Sequence, residues 1–163
     1  MGLSMITVVG RCVGAGEKEQ AKKYAIKLLK IAYCAIFLIS LILCVFSKRL
    51  IGLYNLSEEA AGICVILLLY HSVCVSTIWP IAFTLPNSFR AASDVRYTMI
   101  LSITSMWILR IGMSFVLGKY CGLGIYGVWI SMTCDWVFRA IMFGTRYIRG
   151  TWLTKYKEIG KTV

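Results

Sequence analysis

The stretch Leu85-Pro86-Asn87-Ser88-Phe89-Arg90-Ala91-Ala92-Ser93-Asp94-Val95-Arg96-Tyr97 is a short polar interval between two long apolar tracts. Two arginines around one aspartate suit a phosphate clamp, a catalytic cluster or a loop between membrane helices. Composition decides among them. Of 163 residues, 59% are hydrophobic and 15% charged, against roughly 45–50% apolar in soluble domains, and the mean hydropathy is +0.76. Uncharged runs of about 17 residues or more, long enough to cross a hydrocarbon layer of roughly 30 Å, recur along the chain. A soluble core cannot hide them all, so the interval reads as a loop between spans of an all-α polytopic membrane protein.

The net charge of +11 would suggest a nucleic-acid partner in a soluble protein. Here the basic residues are confined to intervals between apolar runs, which encodes topology, and the partner implied is the lipid bilayer. Cys34, Cys44, Cys64, Cys74 and Cys134 lie inside apolar runs as small hydrophobes, so the seven cysteines do not read as a disulfide framework. Met1 to Val9 has neither a preceding basic region nor a small-residue cleavage site, and does not read as a signal peptide.

Outward from the interval, the chain divides into a single membrane domain. Residues 1–14 are apolar but too short to span, and read as the end of a truncated span closed by Gly14-Ala15-Gly16. Membrane helices are expected at 20–47, 60–89, 96–118 and 122–145, followed by a basic tail over 146–163. Ile31 to Ser47 is the clearest: uncharged, free of proline and glycine, and about 25 Å long at the helical rise. The second span carries Trp79-Pro80 near its middle, where proline removes a backbone donor and bends the helix. Carbonyls freed there are tolerated where neighbours or a cavity satisfy them, so His71, Ser76, Thr77, Trp79 and Pro80 are candidates to line an internal space, with a kink of packing role only as the alternative.

Intervals 11–30, 86–97 and 145–163 fall on one side and hold thirteen basic residues, against three for 48–60 and 118–122. Lysine- and arginine-rich connections stay in the cytoplasm, so loop 86–97 and the tail are expected to be cytoplasmic in a multi-pass plasma-membrane protein.

Arg110, Asp135 and Arg139 fall inside spans, where an isolated charge costs at least about 2.5–3.5 kcal/mol. The third and fourth spans are antiparallel neighbours through the turn at 118–122. Arg110 lies about 12 Å from that end and Asp135 about 6 Å deeper, a gap an arginine covers. Arg139, one turn beyond Asp135, is the competing partner. A structural ion pair and a proton or cation relay both remain open. His71 and Cys74 offer too few ligands for a metal site, and a cavity-facing or titrating role suits the lone histidine. The cluster Gly118, Gly122, Gly124 and Gly127 permits close helix approach. Neither a phosphate-binding glycine loop nor a nucleophile-and-base arrangement is present in the sequence, so no enzyme is expected.

Four blocks carry a resemblance: Val9-Gly10-Arg11-Cys12-Val13-Gly14-Ala15-Gly16-Glu17 with Gln20-Ala21; Leu85 through Tyr97; Met106-Trp107 through Arg110-Ile111-Gly112; and Gly122-Leu123-Gly124-Ile125-Tyr126-Gly127-Val128-Trp129-Ile130 with Asp135-Trp136 and Arg139. In order and spacing they resemble the multidrug and toxic compound extrusion (MATE) transporters. The resemblance covers essentially this whole chain but about the last third of the family's length. It implies twelve helices in two six-helix lobes around a central cavity, this chain supplying the end of the eighth helix and helices nine to twelve. It also implies an antiporter that expels cationic, amphipathic drug-like compounds on a sodium or proton gradient. The family's coupling carboxylates lie in the first lobe or on the seventh and tenth helices, and the span matching the tenth, Ala61 to Phe89, has no acid. No coupling site is therefore expected in this chain, and no cofactor. Arg90, Asp94 and Arg96 match the family's cytoplasmic block and are expected to shape the loop and contact the other lobe. The reading that follows is a C-terminal piece of an efflux transporter, not competent alone, whose partner is the N-terminal lobe or a split-gene product. The alternative is an independent four-helix membrane protein, a small dimeric exporter or a non-transporting partner.

Overall fold

The computed structural model describes residues 1–54 and 56–153, and these are helical throughout apart from turns. Helix α1 (Gly2–Gly14) and the 35-residue α2 (Lys18–Gly52) meet at Gly16, whose φ of +78° suits a residue without a Cβ. Helix α3 (Glu58–Thr77) starts where Ser57 Oγ accepts the Ala60 amide at 3.4 Å, an N-cap that satisfies one orphan donor. It runs on through a π-helical turn (Pro80–Thr84) into α4 (Pro86–Ala91). Pro80 thus widens the second span without severing it: the Leu85 amide reaches back five residues to the Pro80 carbonyl at 3.1 Å.

Most of the interval 86–97, expected as a loop, is helical. Only Ala92 to Asp94 turn, around Ser93 with φ of +62°, before α5 (Val95–Ser105) begins. Phe89, Ser88 and Ala92 are fully buried, so the polar look of the segment concealed an apolar face. Helix α5 continues through π-helical Met106–Gly112, a short α6 (Met113–Phe115) and π-helical Val116–Tyr120. A turn at Gly122 (φ +67°) leads to α7 (Gly124–Arg149), which stops at left-handed Gly150. The chain then folds back as a 3-10 turn, Thr151–Leu153, that buries Trp152 and Leu153. The first part of the basic tail expected over 146–163 thus continues α7 to Arg149 and packs as far as Leu153. Its remainder lies outside the described residues.

Among the described residues three helices, Lys18–Gly52, Glu58–Thr77 and Val95–Tyr120, are long and apolar enough to cross a membrane, and 11%, 17% and 6% of their most apolar stretches are buried in the bundle. The rest faces outward, as suits lipid contact. The 26-residue α7 is long enough too, at about 39 Å, but Asp135 and Arg139 dilute its apolar character. All seven cysteines are free thiols.

Packing is strongest at the end where α1 and α7 finish and α2 and α5 begin, here called the basic end. Met5, Val9, Val13, Ala21, Ala25, Phe89, Phe143 and Trp152 form its core. A smaller cluster of Cys74, Ala82 and Trp136 lies nearer the middle. Toward the other end α7 crosses the preceding helix so closely that a Cβ on Gly127 would sit 2.8 Å from the Leu117 carbonyl carbon. That is the one member of the glycine cluster whose small size the packing demands.

Candidate functional site

The most constrained chemistry lies midway along α7. Asp135 is fully buried and Arg139 nearly so. Four residues apart, they share one helix face, and Arg139 Nε donates to Asp135 Oδ1 at 3.0 Å. Arg139 Nη2 also donates to the Ser102 carbonyl of α5 at 2.9 Å, and its guanidinium lies 5.4 Å from the Phe83 ring centroid in the π-helical turn. One side chain therefore ties three elements together, its charge answered by a carboxylate, a carbonyl and a ring face. Asp135 Oδ2 has no hydrogen-bond partner among the described residues.

Arg110 is not the partner. It is half-buried in the π-helical run and makes no ion pair among the described residues. Arg139 reaches the carboxylate along its own helix, without needing two helices in rotational register. The π-helical turns of 106–112 change that register, and the contact made to α7 there is Ser131 Oγ donating to the Leu109 carbonyl at 2.8 Å.

Of the residues expected around a cavity, His71 lines one. An apolar pocket of about 520 Å³ opens among Ile51, Tyr54, Leu67, His71, Ile125 and Trp129, toward the end opposite the basic one. His71 stands edge-on to Trp129 at 5.1 Å and tilted to Trp136 at 5.5 Å, and its Nδ1 is buried without a partner among the described residues. Ser76 and Thr77 do not reach the pocket. Their hydroxyls donate to the Val73 carbonyl of their own helix at 3.0 and 2.8 Å. The Thr77 carbonyl, just ahead of the proline, accepts the Tyr33 hydroxyl of α2 at 2.9 Å, so a neighbouring helix satisfies backbone at the bend. Trp79 stacks on Phe83 at 5.3 Å, and Pro80 is buried.

Asp94, expected to shape the loop between Arg90 and Arg96, forms an ion pair with Arg146 of α7. It is buried, and its Oδ2 accepts from Arg146 on α7, Nε and Nη2 each at 2.6 Å. The Arg146 guanidinium in turn covers the Tyr97 ring at 3.8 Å. Arg90 bonds Asn87 Oδ1 at 3.4 Å and Arg96 is exposed. The reason is burial: a carboxylate under the helix turn needs a partner that approaches from inside the bundle, and Arg146, 52 residues away, does so. Tyr147 adds a second tie by donating to the Lys22 carbonyl at 2.9 Å, and burial, with Glu19 nearby, pushes its phenol up to about 12. Sequence spacing alone carries no signal for Arg146 or Tyr147, which fall in the basic tail.

An all-helical bundle with outward apolar faces and a buried ion pair defines a polytopic membrane protein. Residues 1–116 match the MatE family, and the chain belongs to it. It is similar to the uncharacterized transporter YisQ of Bacillus subtilis, 27% identical over 91% of this chain and 32% of that protein. A probable multidrug resistance protein NorM of Bacillus licheniformis is 26% identical over 81% of the chain and 29% of its own length. Another, from Thermotoga maritima, is 24% identical over 93% and 32% respectively. The chain thus spans about a third of the length of these relatives. No solved structure is a significant match.

Proposed function

We propose that this chain works as the C-terminal part of a cation-coupled multidrug efflux antiporter, exporting cationic amphipathic compounds on a sodium or proton gradient, and that it does not transport by itself. The observation that carries this is membership of the MatE family over residues 1–116, with relatives described as probable multidrug resistance proteins. Thirteen basic residues in the intervals at this end against three at the other support a cytoplasmic basic end in a plasma-membrane protein. The apolar pocket beside His71, Trp129 and Tyr54 suits the ring systems of such substrates, since aromatic faces attract cations. Asp135, the buried carboxylate of α7, serves as half of a structural clamp with Arg139, so ion coupling belongs to the rest of the transporter, the N-terminal lobe or a separately encoded partner.

The test is reconstitution in proteoliposomes loaded with a fluorescent cationic dye. The chain alone should give no efflux under an imposed sodium or proton gradient, and co-expression with the N-terminal two-thirds of a relative should restore it. Gradient-driven efflux by the chain alone would overturn the claim that it needs a partner.

A further inference from the structure

At the basic end a second pocket, of about 470 Å³, lies between the start of α5 and the end of α7, lined by Tyr97, Ile141, Met142, Arg146, Arg149 and Thr151. Its chemistry is divided. Ile141 and Met142 form an apolar wall on the side of the membrane interior, and Ile141 is 58% exposed. The arginines stand at the rim, three residues apart on one helix face.

Arg146 is a fixed donor. Its guanidinium is gripped by Asp94 on one edge and lies flat on Tyr97, so its geometry is set before anything binds, and its charge is largely answered. Arg149 differs: it is exposed and makes no ion pair among the described residues. The pocket therefore presents one positioned guanidinium and one without an ion pair among the described residues, above an apolar wall in the last turns of α7. Cations in a last helical turn also complement the helix dipole, but that role does not require a cavity or the apolar wall beneath it.

We propose that this pocket holds the phosphate headgroup of an anionic phospholipid of the phosphatidylglycerol type, its acyl chain lying along Ile141 and Met142. Charge complementarity and depth favour a lipid over other phosphate carriers, because basic pockets between helices at the membrane surface recruit anionic headgroups. The proposal requires only that the chain sits in a bilayer, so it stands or falls apart from the efflux reading.

The full chain in neutral phosphatidylcholine micelles containing a trace of fluorescent phosphatidylglycerol offers no anionic surface for general attraction. Arg149→Gln should weaken phosphatidylglycerol binding about fivefold, the effect of roughly one basic side chain near a headgroup, while Arg149→Lys retains most of it. Arg96→Gln, an equal charge loss at the same end but outside the pocket, should leave binding within about twofold. Melting of the lipid-free Arg149→Gln protein should match the unsubstituted chain, since Arg149 is exposed. Equal losses in Arg149→Gln and Arg96→Gln, or no loss in either, would overturn the site. Competition by millimolar inorganic phosphate would show that it takes the free anion, which would overturn the lipid assignment.

Discussion

At the basic end Phe89, Phe143 and Trp152 are fully buried, whereas at the opposite end Leu53, Tyr54 and Tyr120 expose 78%, 76% and 74% of their surface. The contrast has a chemical origin. The basic end is closed by pairs drawn from distant segments: Asp94 with Arg146 across 52 residues, and Tyr147 with Lys22 across 125. At the opposite end helices are joined by short turns and leave an apolar pocket around His71. One end supplies its own solvent. The other leaves its apolar surface open.

The largest test of the comparison lies between the two ends. Asp135→Asn removes the carboxylate from a buried arginine, and breaking such a pair costs about 3–5 kcal/mol; detergent melting and yield should drop sharply, and unchanged melting would remove Asp135 as a clamp. Next, Phe89→Ala should cost about 3 kcal/mol through the cavity it leaves among Phe143 and Trp152, while Leu53→Ala at the open end should stay within about 0.5 kcal/mol. Similar melting shifts for both would mean the two ends do not differ as described. Gly127→Ala forces a Cβ against the Leu117 backbone, and the helices must separate or strain at about 1–3 kcal/mol. Its measurement is the melting shift beside Gly144→Ala, where an added Cβ meets nothing within 4 Å.

The smallest effect is in pH. Because burial raises the Tyr147 phenol from 10.0 to about 12, the folded state holds that proton more tightly than the unfolded chain. Stability from this group is complete below pH 10.0 and falls as pH rises toward 12. Melting curves across that range should decline less steeply for Tyr147→Phe than for the unsubstituted chain.

The helices were legible because their information is local. Long uncharged runs and glycine stops each act within a turn or two, and the structure has helices over Lys18–Gly52, over Glu58–Thr77 with its continuation through Pro80 to Ala91, and over Gly124–Arg149. Family membership was legible too, from four spaced blocks that survive without any knowledge of contacts.

Partner choice was not legible. Asp135 had two arginines within reach on paper, and the choice of Arg139 over Arg110 depends on rotational register that π-helical turns at 106–112 alter. Asp94 had two arginines beside it in sequence, yet burial turned it toward Arg146. Trp152 read as part of a basic tail until Gly150, with φ of +66°, folded it under the bundle. The amino-acid sequence by itself determined that this chain is a helical membrane protein of the MatE family, because hydropathy and backbone propensity act over short range. Only the tertiary structure decided which charges pair, which end is closed and where a pocket opens, because those depend on the summed rotations and tilts of helices far apart in the chain.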